Sequence, residues 1–248
     1  GNDVTSSMTT TSGILSHTFN VAGTGFTSLT WSRDAGITGI AVDGNLLVDP
    51  SVSVSAVVPS INSVVRANPA AGFSVVRYTS PNSSSDQSFG HGLNAKPDFV
   101  IVKNRDSTYN WDIYHSSLGY NSSLIFTSAA TRSGAFSAEP TSSVVNTKTS
   151  YTHNGTDDYV ALCWTAVEGY SAIGKYTGNG STDGPFVFTG FRPRFIIGKR
   201  SDATNGWFMF DSARDGSNVA DDYLAANASA AEATFTFADF LSNGFKLR

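Results

Sequence analysis

A chain of 248 residues, 40% of them hydrophobic, can bury a sizeable core as one large β domain or two smaller ones, which excludes wholesale disorder. Charged residues make up only 15%, so Ser, Thr, Asn and Gly must solvate the surface, and these residues suit turns and exposed strand faces more than helices. The net charge of −4, with Lys and Arg scattered, excludes the concentrated basic footprint of a nucleic-acid binder.

In chain order, strands are expected in "SLTWSR", "ITGIAVDG" and "NLLVD", with Asp43-Gly44-Asn45 as a turn, and then in "FSVVRYT", "DFVIVKN", "WDIYH", "DYVALCW", "FIIGKR" and "WFMF". All are short β-branched or aromatic runs bounded by Gly, Pro, Asn and Ser. Asn179-Gly180 signals a hairpin turn, because both residues tolerate positive φ. Helix is expected in two places only, around 59–67 and within "SNVADDYLAANASAAEA". Strands at this spacing predict an all-β fold, a β-sandwich or jelly roll. No secretory leader opens the sequence and no apolar run reaches the roughly 18 residues that cross a membrane, so the chain is expected to be soluble.

The sequence matches itself. "GFSVVRYTSPNSSSDQSFGHGLNAKPDFVIVKNRDSTYNWDIYHS" from Gly72 aligns with "GYSAIGKYTGNGSTDGPFVFTGFRPRFIIGKRSDATNGWFMFDS" from Gly169. Pro97, Phe99, Lys103, Trp111 and Tyr114 meet Pro193, Phe195, Lys199, Trp207 and Phe210, each 96 positions on. The expectation is two tandem copies of a unit of about 95 residues. The frame that leaves both copies nearly complete aligns "INSVVRANPAAGF" with "YVALCWTAVEGY" and the closing "GFKLR" with the region near Val144. It gives an N-terminal β segment at 1–59 packing on the repeats, a first unit at 60–157 and a second at 158–248.

Catalytic signatures are sparse. His91 stands between two glycines, but the aligned "TGFRPRF" keeps the glycine and proline and has no histidine, which favours a backbone role for the stretch. His17, His91, His115 and His153 show no ligand spacing, and the single cysteine, Cys163, reads as a small buried hydrophobe. No metal or cofactor is required by these residues. Calcium is the one candidate ion, with Asp157 and Asp158, or Asp221 and Asp222, as ligands. Glycoside hydrolysis needs two opposed carboxylates, and the three glutamates, Glu139, Glu168 and Glu232, form no paired strand motif. Trp111 and Trp207 recur at equivalent positions and are expected in the core. Tyr109, Asn110, Tyr120 and Tyr151 lie in polar, Asn-rich stretches and are the candidate glycan contacts, since a ring stacks on a sugar while neighbouring amides bond its hydroxyls.

The blocks "ITGIAVDGNLLVD", "SINSVVRANPAAGFSVVRYT", "HGLNAKPDFVIVKNR", "DDYVALCW", "GYSAIGKYTGNG", "GFRPRFIIGKR", "FDSARD" and "FLSNGFKLR" resemble uncharacterised modules of virion proteins from marine tailed phages. The resemblance implies a tail-fibre or other particle-surface protein with a concanavalin-like, lectin or glucanase type of sandwich, located on the virion and assembled in the host cytoplasm. It carries no catalytic residues to transfer. The leading Gly1 without a Met reads as an excised fragment or a tag remnant, and since in such proteins a further strand follows the last motif, the stop at Arg248 reads as a fragment or a metagenomic open end. The implied partners are other virion proteins or a bacterial surface glycan, with no nucleic acid and no membrane, and homo-oligomers are compatible with it. A non-catalytic structural or adhesion module is the leading expectation. A carbohydrate-active β-sandwich enzyme, hydrolase or lyase, is the alternative.

Overall fold

The computed structural model describes residues 40–42, 45–48, 58–127 and 129–248. The expected strand "SLTWSR" lies outside them. Contacts divide the chain into two compact units, Gly1–Ser55 and Ala56–Arg248. In the first, β1 (Ile40–Val42) and β2 (Asn45–Val48) pair antiparallel.

The second unit is built from short strands rich in β-branched and aromatic residues. They are β3 (Ser63–Asn68), β4 (Phe73–Thr79), β5 (Gln87–Gly90), β6 (Phe99–Asn104), β7 (Trp111–His115), β8 (Ser122–Ile125), β9 (Arg132–Ser133), β10 (Val144–Thr147) and β11 (Asp158–Trp164). Then come β12 (Phe186–Phe188), β13 (Phe195–Lys199), β14 (Trp207–Asp211), β15 (Ala220–Ala225), β16 (Ala233–Leu241) and β17 (Gly244–Leu247). β11 shows the rule: Tyr159, Ala161 and Cys163 are buried while the residues between them are half-buried, the period-2 pattern of a pleated strand. Cys163 is a free thiol, and burial pushes it up to about 12.

Two antiparallel sheets dominate. One runs β3-β4-β11-β6-β7-β8-β9 and the other β12-β17-β16-β15-β14-β13, while β10 and β5 form a separate ribbon. The first sheet buries Val76, Val100, Val102, Tyr114 and Tyr159 against Phe89 and Val145 of the ribbon and against Phe136. Its other face, Ile101, Ile113 and Leu124, packs on Trp207 of β14. The second sheet curls around Phe210, Ala238, Phe240 and Phe245. The architecture is therefore an all-β, sandwich-like stack of antiparallel sheets, as its composition implies. Among the described residues no helix is long and apolar enough to cross a membrane.

Three local expectations are corrected. The helix expected over 59–67 is β3, and only Pro69–Ala71 turns as a 3-10 segment, capped by the Asn68 side chain, which accepts from the Ala71 N–H at 3.1 Å. The alanine-rich stretch after Ser217 is β15 and the start of β16, because its residues ladder with β14 and with each other, and pairing outweighs intrinsic propensity. The turn at Asn179-Gly180 forms, with Gly180 at φ +71° and the Ser181 N–H donating to Asn179 Oδ1 at 3.1 Å, but no strands flank it.

The matched sequence blocks share part of their pairing. The meander β6-β7-β8 has the same order as β13-β14-β15, and β12 pairs with β17 as β5 pairs with β10. They differ at β4, whose aligned residues 171–177 form no strand.

Candidate functional site

A polar depression of about 290 Å³ lies beside the first sheet and the β5–β10 ribbon. Its walls come from Asp86 before β5, Tyr120 and Asn121 before β8, Ser133, Gly134, Phe136 and Ser137 at and after β9, and Lys148 after β10. Gly134 makes the shape. Its N–H donates to the Asn121 carbonyl at 2.8 Å, and a Cβ on Gly134 would run into the Tyr120 carbonyl oxygen. Any other residue would push the two segments apart.

Two ionic groups beneath hold the walls. Glu139 accepts the Tyr120 N–H at 3.0 Å, the Tyr114 hydroxyl at 2.6 Å and the Lys96 ammonium at 2.6 Å. Burial pushes this carboxyl up, but the donors from Lys96, Tyr114 and Tyr120 outweigh it and hold Glu139 below its ordinary value. The same arrangement, with burial as the larger cause, drives the Tyr114 hydroxyl far above its usual range. The second group is Asp112, buried on the inward face of β7 and paired with Arg132 of β9. Burial raises Asp112 to about 6 against the pull of Arg132. The Arg132 guanidinium lies over the Tyr151 ring at 4.6 Å from its centroid, and the Lys148 ammonium stands 5.8 Å from the same ring. Lys148 Nζ also donates to the Gly134 carbonyl at 3.3 Å.

The four candidate glycan contacts fall in two places. Tyr120 lines the depression and Tyr151 stands beside it through Lys148 and Arg132. Tyr109, 52% exposed, and Asn110 stand on the β6–β7 turn and are not among the lining residues. Trp207 is buried as expected, and its Nε1 donates to the Ile125 carbonyl at 2.9 Å. Trp111 departs from that expectation at 40% exposure, with its ring set T-shaped to Phe126 at 6.1 Å between centroids.

His91 is fully buried, with its Nδ1 accepting the Leu93 N–H at 3.3 Å and its Nε2 3.2 Å from the Thr141 carbonyl, and burial lowers its pKa. The calcium candidates are engaged by protein donors: Asp157 accepts from Asn104 Nδ2 at 2.7 Å, and Asp158 accepts from Thr79 Oγ1 at 2.6 Å and faces Arg105 at 3.5 Å. Among the described residues, Asp215, Asp221 and Asp222 bring carboxylate oxygens within 4.8 Å of one another, and these are the side chains that could hold a cation.

Sequence reasoning missed Asp86, Asn121, Lys148, Arg132 and the anchoring roles of Asp112 and Glu139. One signal was present: in "WDIYH" the aspartate shares the inward face with Tyr114, and a charge at a core position must find a partner. Which residue supplies it, 20 positions on, is a tertiary fact.

Fold and site together define an all-β sandwich protein with a polar depression, one carboxylate among its lining residues and an aromatic ring beside it. A family model described as a domain of unknown function, DUF7483, matches residues 5–248, and the chain belongs to that family. No curated protein and no solved structure matches the chain.

Proposed function

We propose that the protein is a non-catalytic binding module of a particle surface that takes a glycan in the depression of Tyr120, Asn121 and Lys148, beside Tyr151. The observation that carries this reading is the convergence of an aromatic ring, an amide, hydroxyls and an ammonium from separate elements around a groove kept open by Gly134. A sugar presents hydroxyls to the amide and ammonium and an apolar C–H face to a ring, which is the pairing these groups offer. The resemblance to phage virion modules supports a particle-surface setting, with a bacterial surface glycan or other virion proteins as partner.

The hydrolase form of the enzyme alternative needs two carboxylates across a bond, one of them free to give a proton. Asp86 is the lining carboxylate, while Asp112 is held by Arg132 and Glu139 by three donors. Immobilised protein offered bacterial surface polysaccharides should retain at least one of them. Asn121→Ala should weaken that retention about tenfold with little change in Tm, and Tyr151→Ala, which removes a half-buried ring packed on the core, should weaken it while also lowering Tm. Retention of none would overturn the glycan reading, and new reducing ends after prolonged incubation would replace it with the carbohydrate-active enzyme, hydrolase or lyase.

A further inference from the structure

Two aligned strands differ in what lies on one edge. In the first sheet β6 pairs with β7 on one side and with β11 on the other, and β11 pairs in turn with β4. In the second sheet β13, aligned with β6 at an offset of 96 residues, pairs with β14 and, among the described residues, with no strand on its other side. Residues 171–177, aligned with β4, form no strand either.

Side-chain exposure follows the same difference. Ile101, opposite Leu162 of β11, is 7% exposed, and its counterpart Ile197 is 39% exposed. Tyr78 of β4 stacks on Tyr159 of β11 and is 4% exposed, whereas Tyr176 is 48% exposed. Phe99 packs on Trp164 of β11 at 5.6 Å, and its counterpart Phe195 is 54% exposed. β13 also lacks the usual protection of an edge strand: its sequence, FIIGK, has no proline and a single terminal lysine.

We infer that the open edge of β13 accepts an antiparallel strand of the β11 kind, the leading strand of another unit of this family, so that its residue equivalent to Leu162 faces Ile197. The choice of occupant comes from the molecule itself. β11 aligns with β3 as the first strand of a unit, yet it is inserted between β4 and β6, so the leading strand of one unit already completes the sheet before it. The main-chain ladder would supply affinity, and alternate side chains would cover Phe195, Ile197 and Tyr176. This joint is independent of the glycan depression.

The full chain is titrated with a synthetic peptide of residues 157–166 carrying Cys163→Ser. Saturable one-to-one binding is expected, with amide exchange at 195–199 slowed at least tenfold. The same peptide with Leu162→Pro should bind at least tenfold more weakly, because proline removes a ladder donor. Ile197→Lys in the chain should weaken the parent peptide while leaving Tm unchanged. Unslowed exchange at 195–199, or equal binding of the proline peptide, overturns the inference. So does a chain that is dimeric alone with 195–199 already protected, which would assign the edge to self-pairing.

Discussion

Gly134 shows how much of the candidate site depends on one missing methyl group. Gly134→Ala forces its new Cβ against the Tyr120 carbonyl, a backbone atom that cannot step aside. Overpacking of this kind should cost about 3 kcal/mol, and thermal unfolding should show a Tm lower by roughly 6–12 °C. Asp112 gives a pH signature of the opposite kind from most carboxylates. Its folded pKa, about 6, lies above the ordinary 3.8, so the fold prefers its protonated form. Its contribution is therefore fully present below about pH 4 and is lost as pH rises through about 6. Asp112→Asn keeps the shape, leaves Arg132 without its charge partner and removes this titration. The Tm of the parent chain should therefore fall relative to that of Asp112→Asn between pH 4 and 7. A difference constant across that range would assign Asp112 an unshifted pKa.

Among the elements, those with alternating or continuous β-branched and aromatic runs were legible in sequence and those governed by partners were not. β4 and β11 alternate in burial at period 2, β6 and β14 are short continuous runs of β-branched or aromatic residues, and each is a strand where the sequence puts it. β15 reads ADDYLA, a sequence with no strand preference of its own, and it becomes a strand because β14 and β16 offer hydrogen-bonding edges on both sides. The segment 171–177 is the converse. It carries the same blocks as β4 but lacks neighbours, and without a ladder it forms no strand. The site was half legible for the same reason. Tyr120 and Tyr151 stand out as aromatics in polar stretches, but their convergence depends on Lys148 and Arg132, whose positions are set by pairing β9 against β8 and β10 against β5.

At the scale of the whole molecule, one side chain joins the two large sheets. Trp207 buries its ring against Ile101, Ile113 and Leu124 and donates its only hydrogen bond across the joint to Ile125. Trp207→Ala should cost about 3–5 kcal/mol. Trp207→Phe keeps most of the burial but leaves the Ile125 carbonyl without that donor, a loss of about 1 kcal/mol. Denaturant unfolding of the two variants separates the terms. If both lose the same amount, the hydrogen bond rather than the ring secures the joint.

The position of β11 in the first sheet has a consequence for synthesis. Thr79 in β4 pairs with Asp158 in β11, 79 residues further along the chain. A polypeptide leaving the ribosome N-terminus first makes β4 and β6 long before the strand that must lie between them, and both wait with unpaired edges. The second sheet is mostly local, since β13, β14, β15 and β16 each pair with their immediate successor and only the short β12 waits for the last strand, β17. Closing the long loop is entropically slow, so completion of the first sheet is the late step of folding. Premature termination before Asp158 would leave two half-sheets exposing the apolar edges on which chains aggregate.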